Sequence, residues 1–288
     1  MKKKTKSASL ERIVSLAKRR GFIYPGSEIY GGLANTWDYG PLGTLLKRNI
    51  EQDWWDFFVT KRPEIHGLDT SILMNPRVWE SSGHTESFTD ALIDCKNCKV
   101  RTRADHLIED NVKAIKVEGQ SLTELAEIID KNKLKCPNCG AFSWTHPREF
   151  NLLFETHVGI VPEKQSKVYL RGETAQGMFV DFKQVLDTIS PKLPFGLAQS
   201  GMAFRNEITK GHFVFRTLEF HLAEFEYYIK ENEWEKWFEY WKKEVENWVK
   251  RLGVSMKNTR WRAHTKDELS HYSKRTEDIE YKFPFGYK

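Results

Sequence analysis

Residues 197–229 read LAQSGMAFRNEITKGHFVFRTLEFHLAEFEYYI, and this stretch decides the fold. Its two arms, LAQSGMAFRNE (197–207) and FRTLEFHLAEFEYYI (215–229), are rich in Phe, Leu and Tyr with period-two alternation, the pattern of strands. Between them ITKGHFV supplies a loop with Gly211, so the unit reads as an antiparallel hairpin. Side chains two apart share a strand face. Arg205 and Glu207 are therefore expected to point together, as are Arg216, Leu218, Phe220, Leu222, Glu224 and Glu226 on the returning strand. The opposite face starts polar with Glu219 and His221 and turns apolar at Ala223, Phe225, Tyr227 and Ile229. An ordinary half-buried strand keeps its polar residues on one side. Here one side offers two arginines, an aromatic ring and a row of carboxylates. Arginine suits phosphate because its planar fork donates two parallel charge-assisted hydrogen bonds. On parity alone, a surface strand laced with salt bridges fits equally well.

Outward from this hairpin, residues 8–20 put Leu10, Ile13, Val14 and Ala17 on one helical face. Residues 43–58 repeat the spacing with Leu45, Leu46, Ile50, Trp54, Phe57 and Phe58. KVYLR (167–171) alternates as a strand, and TAQGMFVDFKQVL after it reads as a helix. Residues 231–252 carry Trp234, Trp237, Phe238, Trp241, Val245, Trp248, Val249 and Leu252 at helical spacing, a stripe for core or subunit contact.

The chain has 288 residues, 45 basic and 40 acidic side chains and a formal charge of +5. That length fits two domains, or one large domain with an insertion. No uncharged apolar run approaches the roughly 18 residues of a membrane helix. The basic start, Met1 to Lys6, is followed by SLERIVSLAKRR, where Glu11 and Arg12 break any signal-peptide core. A cytoplasmic protein with no membrane partner is expected. The charge is too small to argue for nucleic acid by itself.

Four cysteines stand as two pairs, Cys95 and Cys98 in CKNC, and Cys136 and Cys139 in CPNCG. In a reducing compartment two such pairs read as a tetrathiolate structural zinc site, each pair offering two thiolates from one tight turn. Asn97 and Gly140 suit knuckle turns of this kind. Two unrelated redox or buried pairs are the alternative. The gap between the pairs exceeds the usual ~15–20 residues, so a small subdomain is expected there, with SLTELAEIIDKNK as a short helix.

FRNEITKGHFVFRTLEF resembles motif 2 of the class II aminoacyl-tRNA synthetases. The wider pattern is similar to the dimeric glycyl-tRNA synthetases. The matching stretches are SEIYGGLANTWDYGPLG, WESSGHTESFTD, RTRADHLIED, REFNLLFETHVG, YLRGETAQGMF, AQSGMAFRNEITKG, ELSHYSKRTEDIEYKFPFG and the two cysteine knuckles. The resemblance runs from about Arg19 to the last residue. It implies an α+β fold, an antiparallel sheet flanked by helices, in three parts: residues 1–94 begin the catalytic core, 95–146 form a zinc-binding insertion, and 147–288 resume the core. DYGPLG with its helix, including Pro41, looks like motif 1, the element that builds a homodimer interface.

The same resemblance implies the site. Arg205, Asn206, Glu207, Phe215, Arg216 and Phe220 would bind ATP with its Mg2+, with Arg205, Glu207 and Arg216 as the catalytic set. Arg205 would hold the α-phosphate, Glu207 the adenine amino group or the magnesium surroundings, and Phe220 would stack on adenine. Arg103, Glu173, Phe220 and Glu224 would recognise glycine. Physical sense agrees, since glycine offers only an ammonium for carboxylates and a carboxylate for an arginine. Phe220 to Glu224 spans about 13 Å at ~3.3 Å per residue, near the reach from adenine to an amino acid joined through the α-phosphate. The implied reaction activates glycine with ATP and passes it to tRNA(Gly), mostly by alignment and cationic stabilisation and without a protein nucleophile. His84, His106, His212 and His221 are read as structural or substrate-positioning groups.

Two departures stand out. ETAQG is preceded by Gly172 where the family usually has proline, so a less rigid loop under Glu173 is expected. The chain also ends at FPFGYK, before motif 3 and the anticodon-binding domain, and is expected not to charge tRNA by itself. A non-catalytic paralogue that binds nucleotide or RNA, and a zinc-ribbon nucleic-acid-binding protein, are the competing readings. Retention of Arg205, Glu207, Phe220, Glu173 and Glu224 together weighs against the first. Aromatics in amphipathic stripes, rather than among clustered lysines, weigh against the second.

Overall fold

The structure, a computed structural model, describes residues 9–288 apart from 113, 114, 116, 118, 162–165, 208–212, 267, 271 and 285. His212 and the expected loop glycine Gly211 lie outside the described residues. The described residues form two compact units. One takes the chain up to Thr70, Gly177–Gly201 and the residues from Ala223 on; the other takes Ser71–Gln176 and Met202–Leu222. Helices and mainly antiparallel sheets make up both, an α+β arrangement.

The first unit is organised by aromatic side chains. Helix Pro41–Trp55 continues into a π-helical turn, Asp56–Thr60, and together they bury Trp54, Phe58 and Val59. The tryptophan stripe folds as helix Trp234–Arg251. It lays Trp241, Val245 and Trp248 onto the cluster of Trp54, Phe58, Val59, Ile65 and Ala198. Phe225 stacks on Phe58 with ring centres 5.6 Å apart and meets Trp241 at 4.6 Å. Core packing is therefore what the stripe does, and Phe225 and Tyr227 lie on the face that alternation made apolar. Aromatic contacts of this kind add about 0.5–1.5 kcal/mol each beyond area burial. The central strand, Phe195–Phe204, runs between Ile65–Gly67 and Glu219–Tyr228. Ile65–Gly67 pairs with it in parallel, with Gly196 opposite Ile65, a departure from a purely antiparallel sheet. A second sheet joins Thr259–Ala263, Glu277–Phe283 and Gly286–Tyr287, all antiparallel.

The second unit holds two small sheets. Thr89–Asp94 lies between Arg101–Arg103 and Arg148–Asn151, and Ser166–Leu170 lies between Leu73–Met74 and Glu155–Val158, every pair antiparallel. Around the cysteine pairs the chain builds its own core, with Leu107, Ile108, Leu125, Ile129 and Leu134 from between the pairs and Ile93 and Trp144 from either side of them. The expected short helix is Leu122–Lys131. It starts at a capping box: Ser121 Oγ accepts from the Glu124 N–H at 3.3 Å, and Glu124 Oε2 accepts from the Ser121 N–H at 2.7 Å.

The hairpin differs from its sequence reading at its open end. The strands stop at Phe204 and resume at Glu219, so Arg205, Asn206, Glu207 and Arg216 stand outside the ladder. The Glu207 N–H turns back to the Arg205 carbonyl at 2.7 Å. That tight turn cancels the alternation that put Arg205 and Glu207 on one face. Among the described residues no helix is long and apolar enough to cross a membrane.

Gly43 fixes how closely helix Pro41–Trp55 approaches the preceding chain. A Cβ at this position would stand 1.8 Å from the Phe22 carbonyl oxygen. Alanine is the better helix former by about 1 kcal/mol, but overpacking costs typically ~1–3 kcal/mol and here meets rigid backbone. Gly43→Ala is expected to lower the unfolding midpoint. Thermal or urea unfolding checks it, and a midpoint unchanged or raised would contradict this packing.

Candidate active site and thiolate centre

Five groups converge on Arg205. Its backbone N–H reaches the Leu218 carbonyl at 2.9 Å, which ties the end of one hairpin arm to the start of the other. Its Nε donates to the Gly172 carbonyl at 3.1 Å. A terminal nitrogen stands 3.6 Å from Glu173 Oε1. The guanidinium carbon lies 5.1 Å from the ring centre of Phe88 and 5.4 Å from that of Phe220, within cation–π range of both. The arginine is thus oriented by a carbonyl and two rings and still keeps donors in reach of an anion.

Glu173 follows Gly172 just before helix Ala175–Ile189. Its Oε2 receives His84 Nε2–H at 3.2 Å and the Gln176 side-chain N–H at 3.2 Å. The His84 hydrogen bond is the largest influence on this carboxyl and holds it below its ordinary value, with Gln176 and Arg205 adding to the effect against burial. A fully ionised, half-buried carboxylate beside an arginine is a good acceptor for a substrate ammonium. The rigidity expected to be missing at Gly172 is supplied in part by Arg205, which holds its carbonyl.

A second group of charges gathers around Arg103. Its Nη1 pairs with Asp90 at 2.7 Å, and Nε and Nη2 make a bidentate contact with Asp105 at 3.0 and 2.5 Å. Burial pushes the Asp90 carboxyl up, the Arg103 charge acting against it. Asp105 goes the other way: burial disfavours its charge, but the Arg103 hydrogen bond and charge outweigh that. Glu207 pairs with Arg216 at 3.3 Å and acts electrostatically on both Arg103 and Asp90. Three carboxylates against two guanidiniums leave this group short of positive charge.

The structure therefore brings Arg205, Glu173 and Phe220 together in one cluster, and Arg103, Glu207 and Arg216 in another, both within the second unit. The Asn206 N–H bonds the Leu152 carbonyl, and Phe215 ends a 3-10 turn, Phe213–Phe215, with its ring exposed. Glu224 lies four residues along the strand from Phe220, in the part assigned to the first unit. Phe88, Asp90, Asp105 and Gln176 were not singled out from sequence. Asp105 sits two residues after Arg103, and Phe88 and Asp90 lie within WESSGHTESFTD, so a search for partners of each expected cation would have reached them.

The cysteines converge as expected. All four Sγ atoms lie within 4.8 Å of one another, with Cys95–Cys139 at 3.7 Å and Cys98–Cys136 at 3.6 Å. A four-coordinate ion with ~2.3 Å metal–sulfur bonds needs sulfur edges of about 3.8 Å. These residues could hold a metal ion. The two knuckles repeat one pattern: Lys99 and Gly140 donate their N–H to the carbonyls of Cys95 and Cys136, and both have left-handed φ, 60° and 71°. Lys99, not Asn97, thus occupies the turn position equivalent to Gly140. Asn97 acts through its side chain, which donates to Cys139 Sγ at 3.5 Å. The Asn138 side chain does the same for Cys98, whose thiol it brings down to about 6. Burial raises Cys136 to about 11.

Comparison with known proteins bears on this geometry. No family model matches the chain. A glycine–tRNA ligase of Caldanaerobacter subterraneus subsp. tengcongensis is 52% identical over 283 residues, which is 97% of this chain and 61% of that relative. One of Geobacillus thermodenitrificans is 53% identical over 285 residues, covering 98% and 61%. One of Bacillus anthracis is 50% identical over 283 residues, covering 97% and 62%. The chain therefore spans about three fifths of the length of the curated relatives it matches, corresponding to their N-terminal part.

The Arg103–Asp105 pair gives a pH test. Because the folded Asp105 carboxyl lies below its ordinary value, its contribution to stability is present above the unfolded value, ~3.9, and fades as pH falls through the folded one. Asp105→Asn is expected to cost about 1.5–3 kcal/mol at neutral pH, as for a charge-assisted hydrogen bond. The difference from the unaltered chain should shrink as pH drops below about 4. Urea unfolding across pH checks this, and a pH-independent difference would contradict the pairing.

Proposed function

From the kinship of this chain with the glycine–tRNA ligases over 97% of its own length, we propose that it is the glycine-activating part of such an enzyme. The observation that carries this is the Arg205–Glu173 juxtaposition at 3.6 Å. A cation suited to phosphate stands beside an anion suited to ammonium. Those are the two charges that the joined substrates, ATP and glycine, present close together.

In this reading Arg205 grips the α-phosphate and Phe220 stacks on adenine. Glu207 and Arg216, with Asn206 and Phe215, line the nucleotide end, and Mg2+ accompanies the ATP phosphates as part of the substrate. Glu173 takes the glycine ammonium. Arg103, held by Asp90 and Asp105, serves glycine recognition as the resemblance implies. One carboxylate oxygen of glycine attacks the α-phosphorus, the bond to the β-phosphate oxygen breaks, and pyrophosphate leaves. The glycyl group then passes to the terminal ribose of tRNA(Gly), releasing AMP. Arg205 stabilises the charge that builds on the α-phosphoryl oxygens, and its carbonyl and ring supports keep it aligned before the substrates arrive.

Other parts of the reading follow the same kinship. Residues 95–146 serve as an insertion whose four thiolates hold one structural zinc, closed to water because all four positions are filled by protein. Helix Pro41–Trp55 exposes Leu42, Leu45, Leu46 and Ile50, and Ile29, Tyr30 and Leu33 are exposed in the segment before it. This apolar surface supports a homodimer. The setting is the cytoplasm, where charged tRNA is used.

Two measurements test these points. Arg205→Ala is expected to weaken ATP binding by tenfold or more, since a charged hydrogen bond to phosphate contributes roughly 1.5–3 kcal/mol. Calorimetric titration reads this, and unchanged ATP affinity would place the nucleotide elsewhere. Protein purified without chelator should carry about one zinc per chain, and chelation should unfold the 95–146 segment, seen as loss of its amide protection. A metal-free protein that keeps that protection would refute the structural zinc.

A further inference from the structure

Beside the charged groups lies a short segment, residues 84–88, that supplies a contact to each of Glu173 and Arg205. Helix His84–Ser87 follows Gly83, a left-handed residue with φ of 77°, and leads into Phe88. The backbone of this turn is pinned: the Asn151 side-chain amide donates to the carbonyls of His84 and Thr85 at 2.9 and 3.0 Å. The Leu152 N–H bonds the Phe88 carbonyl at 2.9 Å. The His84 ring meets the fully buried Trp79 edge-on at 5.3 Å and lies 5.1 Å from Phe88. Its imidazole is therefore held in place before it touches anything functional.

Its two nitrogens then do different things. Nε2 reaches Glu173 Oε2 at 3.2 Å, and Nδ1 stands 2.9 Å from Ser82 Oγ. Ser82 Oγ is also 3.3 Å from the Trp79 carbonyl. With a neutral imidazole, the Ser82 hydroxyl donates to Nδ1 and Nε2–H donates to Glu173. With a charged one, Nδ1–H donates to Ser82, and the hydroxyl turns to the Trp79 carbonyl. In both states Glu173 receives the Nε2 proton, which leaves its Oε1 toward Arg205. Four residues further on, Phe88 offers its ring face to the Arg205 guanidinium at 5.1 Å.

We propose that the 84–88 turn is a positioning clamp: His84 fixes the ammonium-binding carboxylate of Glu173, and Phe88 fixes the phosphate-binding guanidinium of Arg205. This rests on the assignment of those two residues to glycine and ATP. The clamp has a directional consequence. His84 contacts Glu173 and not Arg205, so its loss should be felt at the amino-acid end, whereas Phe88 meets Arg205 directly and the Glu173 loop only through Gly172, so its loss should be felt more at the nucleotide end.

The test is calorimetric titration of glycine and of ATP into the unaltered chain and into His84→Leu, His84→Gln and Phe88→Leu, with thermal unfolding as the check on integrity. His84→Leu is expected to weaken glycine binding about tenfold, the effect of losing a hydrogen bond to a charged group, and to leave ATP binding unchanged. His84→Gln, which keeps an N–H donor, should recover most of it. Phe88→Leu should weaken ATP binding about threefold or more and glycine binding by less. A second readout needs no substrate: carbon NMR of labelled Glu173, a carboxyl faced by His84, Gln176 and Arg205, should show its titration midpoint rise in His84→Leu. A folded His84→Leu that leaves glycine affinity or the Glu173 midpoint unmoved, or that weakens both substrates alike, overturns the clamp. If the unaltered chain takes up neither glycine nor ATP, the functional reading fails instead, and the Glu173 midpoint then decides by itself whether His84 governs that carboxylate.

Discussion

The candidate site depends on one carboxylate remaining ionised where it stands. Glu173 is partly buried, and burial alone would favour its neutral form. Two N–H donors, from His84 and Gln176, and the nearby Arg205 reverse that preference. Each of these groups is in turn placed by something else. His84 is fixed by Trp79 and Ser82, Gln176 by the first turn of its helix, and Arg205 by the Gly172 carbonyl and two rings. The charge of one side chain is thus maintained by contacts drawn from four separate stretches of the chain. A site of this kind tolerates little independent drift of its parts, because a buried charge without its partners costs far more than the pairing contributes.

Much of this was legible as pattern, and the parts that were not have a common cause. Helical spacing located Leu10–Arg19, Pro41–Trp55 and Trp234–Arg251, and alternation located the hairpin and the apolar face of Phe225 and Tyr227. These signals arise from one element repeating its own geometry. Alternation failed where the repeat ends, at Arg205 and Glu207, since the turn that joins them is set by a local hydrogen bond that no periodicity encodes. It also could not find Phe88, Asp90 or Asp105. These residues matter through partners far away in sequence or through a pairing that composition does not mark. Arg103 illustrates the point: the family resemblance implies a glycine ligand, and the fold adds the two carboxylates that engage its donors.

The thiolate centre was the easier inference because its constraint is local and repeated. Each CxxC pair needs a left-handed residue to close its turn, and the chain uses Gly140 at no steric cost and Lys99 at a small one. The sequence reading places Asn97 and Gly140 in knuckle turns whose backbone amides point at sulfur. The structure gives Asn97 a different use. It and Asn138 occupy equivalent positions two residues after the first cysteine of each pair, and each amide serves a sulfur of the opposite knuckle, Cys139 and Cys98. Donors aimed at sulfur favour the thiolate form, which is the form that binds metal. The small core of Ile93, Ile108, Leu125, Ile129 and Trp144 then holds the two knuckles at one distance.

Gly172 brings these themes to one residue. Replacing the proline expected from the resemblance by glycine releases a constraint on the unfolded chain that is typically worth about 0.4–1 kcal/mol. That loss would loosen the loop under Glu173 if nothing else held it. Yet a Cβ built at Gly172 would sit 3.1 Å from the Phe88 ring and 3.3 Å from Leu153, tighter than ordinary contact. The bare α-carbon lets Phe88 close onto the loop, and Phe88 carries the face that orients Arg205. Arg205 in turn holds the Gly172 carbonyl. The circuit returns to its starting residue, so the stiffness that a pyrrolidine ring would have supplied covalently is supplied here by packing and one hydrogen bond. Such stiffness is conditional: it exists only while Phe88 and Arg205 are both in place, which couples the loop carrying Glu173 to the turn carrying His84.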